Sequence, residues 1–169
     1  MNLHENKKLF RQAVQTTAQQ KGIPEIYIEK DYWVTHALYT IFTDPLGADA
    51  IFKGGTALSK CYKLIDRFSE DIDLTVLRKD GESDAQMKIK IRELGKVLTA
   101  QLPEVEIGGV TNKKGNIRKT AHTYEKEFQG AYGQIRDVIV LEVTWLGNFE
   151  PYESKFVRTY ISEMMESTD

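Results

Sequence analysis

Residues 51–76 read "IFKGGTALSKCYKLIDRFSEDIDLTV", and the end of this stretch limits what the chain can become. Asp71 and Asp73 alternate with Ile72 and Leu74. Alternate side chains of a strand share a face, so the two carboxylates point one way and the two apolar side chains the other. Carboxylates fixed on one rigid face repel each other, and burying either without a partner is costly. A divalent cation removes both difficulties. Hard oxygen donors suit Mg²⁺, which takes one or two protein carboxylates and completes its shell with water and phosphate oxygens. Glu70 completes the acidic cluster but by alternation faces away from Asp71.

A third carboxylate for the same ion is Glu142, the acid inside the most apolar strand candidate, "DVIVLEVTW"; Asp137 stands at that strand's edge. If this strand lies beside that of Asp71, the three acids converge. Each piece alone has a plainer meaning. An isolated Asp-x-Asp is more often a solvated strand end or turn, and a single glutamate in a strand more often faces solvent.

The glycines are the second half of the pattern. Gly54 and Gly55 follow a short apolar run and precede a helical stretch. Glycine permits a sharp turn and close approach of the backbone to a ligand. The free N–H groups and positive dipole of a helix start attract phosphate, and Thr56 and Ser59 add hydroxyl donors. The spacing matches neither the Walker loop nor Gly-x-Gly-x-x-Gly, and an isolated Gly-Gly pair is also a plain strand-to-helix turn.

Around this segment the periodicity predicts helices over residues 3–20 and 25–42, a strand at 50–52, and a helix from Thr56 burying Leu58, Cys61 and Ile65. A strand follows at 71–77. The next helix is capped at Ser83 or Asp84, buries Met87, Ile91, Leu94, Leu98 and Leu102, and ends at Pro103. Strands are predicted at 105–110, 117–128 and 137–145, and a C-terminal helix at 154–166. This order predicts an α/β (α+β) domain with a mixed β-sheet flanked by helices behind an N-terminal helical pair. It reads as one domain over residues 1–169, with N-terminal helices at 1–45, a core region at 48–150 that carries the acids and glycines, and a C-terminal helix at 154–166.

Taken together, Lys53-Gly54-Gly55-Thr56, Leu58-Ser59 and Arg67-x-Ser69-x-Asp71-Ile72-Asp73-Leu74, with "EKDYWVTHAL" at 29–38, resemble the AbiEii-type nucleotidyltransferase family. Its members are toxins of type IV toxin–antitoxin and abortive-infection systems within the DNA polymerase β-like superfamily. The resemblance spans residues 25–151. It implies the polymerase β-like nucleotidyltransferase fold and transfer of a nucleoside monophosphate from an NTP to an acceptor hydroxyl, on a tRNA 3′ end or a protein. It implies Asp71, Asp73 and Glu142 as catalytic ligands of a two-metal Mg²⁺ site. It assigns NTP binding to Lys53, Gly54, Gly55, Thr56, Ser59, Arg67 and Ser69, and a cognate antitoxin as partner. The family's further C-terminal helical motif has no match in residues 153–169. The chain therefore reads either as a fragment of a longer protein or as a short variant, and a non-catalytic nucleotide-binding or interaction module, or an RNA-binding domain, stands as the alternative.

Composition excludes other classes. A net charge of −2 rules out a general basic coat for nucleic acid. Lys113, Lys114, Arg118 and Lys119 form a local basic stretch that fits either an RNA guide or a solvated hairpin. The single cysteine, Cys61, allows no internal disulfide and is expected as a buried thiol. His36 and His122 lack partners at zinc spacing. With no apolar run of membrane-spanning length and no signal segment, the chain reads as a cytoplasmic protein without membrane contact.

Overall fold

The computed structural model describes residues 2–65, 68–131, 133, 135–146 and 151–167. Two helices come first. In α1 (Lys7–Lys21) the Asn6 side chain accepts the Leu9 N–H at 3.1 Å, and Gly22 closes the helix in the left-handed region, where a side chain would be strained. The second helix, α2 (Glu25–Thr43), is buried at eleven of its nineteen residues, so it acts as the core's central rod.

The chain then runs through β1 (Ala50–Lys53), α3 (Gly54–Lys60) and β2 (Ile72–Val76). Next is α4 (Asp84–Thr99), started by a capping box between Ser83 and Gln86. The strands β3 (Glu104–Val105), β4 (Ile117–His122) and β5 (Ile139–Thr144) and the short helix α5 (Tyr160–Glu166) complete the fold.

The sheet order is β1-β2-β5-β4-β3, and its parallel pair is β2 with β5. Strand alternation divides the sheet. Ile72, Leu74, Val76, Ile139, Leu141 and Val143 join Phe10, Val14, Trp33, Leu38, Met87, Leu94 and Leu98 in the main core. The opposite face carries Asp73 and Glu142, with only a small apolar cluster of Ala121, Val138 and Val140.

Three charged residues in the middle of α2 are as buried as its apolar ones. Lys30 is 0% exposed. Its ammonium pairs with Glu70 and donates to the Arg136 carbonyl and, at 2.8 Å, to the Val138 carbonyl. Glu29 accepts the Glu127 and Phe128 N–H groups at 2.7 and 3.2 Å. Asp31 pairs with Lys60 of α3 and accepts the Tyr160 N–H at 2.7 Å. Burial pushes the Glu29 and Asp31 carboxyls up and the Lys30 ammonium down. One helix thus grips four separate segments through fully desolvated polar contacts.

These contacts explain where the structure departs from the sequence pattern. The helix expected at 154–166 begins only at Tyr160, where Thr159 caps it and Asp31 holds its first N–H. The strand expected at 117–128 ends at His122, because Thr123 turns to the Pro103 carbonyl and the N–H groups at 127 and 128 go to Glu29. The strand expected at 105–110 shrinks to two residues, broken by a turn around Gly108 and Gly109. The third helix starts at Gly54 and buries Ala57 and Lys60; Leu58 is 40% exposed and Cys61 sits half-buried at the helix end. Lys60 turns inward because Asp31 offers it a buried partner.

Removing one member of a buried ion pair leaves the other charge uncompensated, typically costing ~3–5 kcal/mol. Lys30→Met is expected to lose stability of that order in urea unfolding, and Lys30→Met with Glu70→Gln to recover part of it. Wild-type stability in Lys30→Met would show that this pair does not organise the fold.

Candidate active site

Four charged residues form one row across four neighbouring strands. Lys53 of β1 stands opposite Asp73 of β2, Asp73 beside Glu142 of β5, and Glu142 opposite Lys119 of β4. Register partners point to the same face. The row therefore runs cation, carboxylate, carboxylate, cation over strands roughly 4.8 Å apart. The pairing of the Asp71 strand with the Glu142 strand, on which the converging-acid expectation depends, is present.

Asp73 is the strained member. Its carboxyl is held above its ordinary value of 3.8, first by burial and then by the charges of Glu142 and Asp71, with Lys53 and Lys119 pulling the other way. Its neighbours have cationic partners. Lys119 lies 3.3 Å from Glu142 Oε2, and Arg136 Nη1 lies 3.2 and 3.3 Å from the two Asp71 oxygens. Among the described residues no three acidic, histidine or cysteine side chains stand together in ligating geometry. The donor chemistry of Asp71, Asp73 and Glu142 nevertheless fits a hard dication: three carboxylate groups, two of them side by side, with Asp73 destabilised as an anion by the other two.

The glycine turn lies directly on this row. Gly54 has φ +78°, which favours glycine, and a Cβ there would run into the Asp73 carboxylate, whose carbon would be 3.0 Å away. The backbone thus approaches the central carboxylate as closely as a side-chain-free residue allows. Gly55 follows in the first turn of α3, and Lys53 precedes it, exposed at the end of β1.

The remaining candidates divide. Thr56 is 1% exposed, and its hydroxyl bonds with Ser69 Oγ at 2.8 Å and with the Asp71 carbonyl. Thr56 and Ser69 therefore fasten α3 to the start of β2, and Thr56 has no open surface to offer a ligand. Ser59 lines a different cavity of about 770 Å³, beside Lys21, Tyr27, Lys60 and Lys63, whose walls include none of the three carboxylates. Arg67 lies outside the described residues. Asp137 pairs with Lys126 at 2.9 Å.

Three residues that sequence reasoning did not place at the site belong to its surroundings. Lys119 carried a signal only as part of a basic stretch, and in that stretch Lys113 and Arg118 both turn to Glu104. Arg136 carried no signal. Lys30 did, as a cation inside an otherwise apolar helical stripe. Glu70, facing away from Asp71, is 9% exposed and joins Lys30 to the Arg136 backbone, accepting its N–H at 3.0 Å.

The family model described as nucleotidyl transferase AbiEii toxin, type IV TA system, matches residues 36–169. No curated protein matches the chain. The five helices and five-stranded mixed sheet agree with a nucleotidyltransferase-like fold. No described helix is long and apolar enough to cross a membrane.

A raised folded-state pKa means that ionised Asp73 costs stability above that value, and the cost disappears as pH falls through it toward 3.8. In chelator at neutral pH, Asp73→Asn is expected to melt at a higher temperature than wild type. The gap should close as pH approaches the ordinary carboxylate range. A lower melting temperature at neutral pH would mean that Asp73 is satisfied as an anion.

Proposed function

The chain belongs to the AbiEii family of nucleotidyl transferase toxins of type IV toxin–antitoxin systems, and from that premise we propose that it is a Mg²⁺-dependent transferase. It moves a nucleoside monophosphate from an NTP to an acceptor hydroxyl, on a tRNA 3′ end or a protein, and a cognate antitoxin restrains it. The observation that carries this reading is the placement of Asp73 beside Glu142 on adjacent parallel strands, with the Gly54 backbone lying against Asp73.

Asp71, Asp73 and Glu142 would hold the metal in a two-ion arrangement. When bound, Mg²⁺ supplies Lewis-acid stabilisation of the charge that develops on the transferring phosphoryl group. The chain's own residues do the rest. The Gly54–Gly55 turn brings backbone close to the carboxylates without side-chain obstruction. Lys53 and Lys119, at the two ends of the row, add positive charge where a polyanion must settle. Lys119 also fixes the Glu142 carboxylate. Thr56 and Ser69 keep the glycine turn in place relative to Asp71. The acceptor hydroxyl gives up its proton to solvent as its oxygen attacks the α-phosphorus; the bond from that phosphorus to the bridging oxygen breaks, and pyrophosphate leaves with the electron pair.

Incubation with α-³²P-labelled NTPs, Mg²⁺ and total tRNA or cell extract tests this. The wild-type chain is expected to label an acceptor, and Asp71→Ala, Asp73→Ala and Glu142→Ala each to lose ~100-fold or more, above the loss typical of residues that only support a metal ligand. Label transfer undiminished in Asp73→Ala would refute the assignment.

A further inference from the structure

Building on that reading, we propose that Arg136 is a phosphate-binding residue of the NTP site, presented to it by the buried Lys30–Glu70 pair. Arg136 lies just before β5. Its backbone is fixed from both sides. Its carbonyl accepts from Lys30, its N–H donates to Glu70 at 3.0 Å, and the Val138 carbonyl two residues on accepts from Lys30 at 2.8 Å. Three contacts to a desolvated ion pair hold this loop, so its position does not depend on the Arg136 side chain.

That side chain is 44% exposed; its Nη1 lies 3.2 and 3.3 Å from the two Asp71 oxygens and, more loosely, 3.8 Å from Glu70 Oε1. A half-exposed ion pair of this kind contributes ~0–1 kcal/mol. That is too little, beside the buried contacts, for anchoring to be its main role. What the guanidinium offers is a planar fork of donors matched to phosphate oxygens, and among the described residues its Nη2 and Nε make no hydrogen bond. A triphosphate brought to Asp71 and Asp73 meets this fork at its edge. The charge arrangement agrees: Lys53, Lys119 and Arg136 lie around three carboxylates, so a dication held by the acids leaves three cations facing a polyanion.

Equilibrium binding in Mg²⁺ of a fluorescent non-hydrolysable NTP analogue, and of the matching nucleoside without phosphates, tests the assignment on the full chain. Arg136→Ala is expected to weaken NTP analogue binding ~10-fold or more and to leave nucleoside binding within twofold of wild type; Arg136→Lys should fall between. Circular dichroism melting of each variant is expected to match wild type closely, because the loop keeps its backbone anchors. Equal NTP affinity in Arg136→Ala and wild type would overturn the inference while leaving the nucleotidyltransferase reading intact. Parallel loss of NTP and nucleoside binding, or a large drop in melting temperature, would overturn it in favour of a structural role. A wild-type chain that binds no NTP would overturn both.

Discussion

Two carboxylates, Asp73 and Glu142, face each other across a pair of parallel strands, and their repulsion is the constraint around which the surrounding structure is arranged. Strand pairing fixes their spacing, so neither can retreat without breaking the sheet. Lys53 and Lys119 flank them in the same register row, and Arg136 lies on Asp71. The Gly54 backbone lies against the Asp73 carboxylate. A stability-optimised sheet would place none of these charges together. Their concentration on the face opposite the main core makes that face the candidate working surface.

The cost of holding this surface in shape is met on the other side of the sheet. In α2, Glu29, Lys30 and Asp31 reach four segments: the loop at 127–128, the loop at 136–138 with Glu70, α3 through Lys60, and the start of α5. Buried ion pairs are weak sources of net stability, because desolvation offsets much of their attraction. Their value here is specificity. An apolar side chain at position 30 would pack, but it would not fix the register of the Arg136 loop against the start of β2. The two halves of the site, the Asp71–Asp73 strand and the Glu142 strand with its preceding loop, are thereby tied to a single helix.

Much of this was legible in the residues. Alternation at 71–74 gave the strand and the face of its carboxylates, and the apolar run around Glu142 gave the second strand. What periodicity could not give was that β2 and β5 are neighbours and parallel, since they lie far apart in the chain with α4, β3 and β4 between them. Side-chain destinations were hidden for the same reason. Thr56 looked like a ligand donor by its place after two glycines, but long-range contact with Ser69 and the Asp71 carbonyl takes its hydroxyl. Tyr39, on the same helix as the buried Tyr32 and Trp33, lies on the outer side of α2 and is 63% exposed. Lys30, Glu70 and Arg136 are linked across 106 residues, beyond the reach of any local pattern.

The central claim is that Asp73 and Glu142, with Asp71, form a site for a hard dication. Titration of Mn²⁺ into the chelator-stripped chain, followed by electron paramagnetic resonance of the free ion, measures this without reference to catalysis. Wild type is expected to bind saturably, and Asp73→Asn and Glu142→Gln each to weaken that binding by ~10-fold or more. Mn²⁺ binding of equal strength in wild type and both variants would contradict the account.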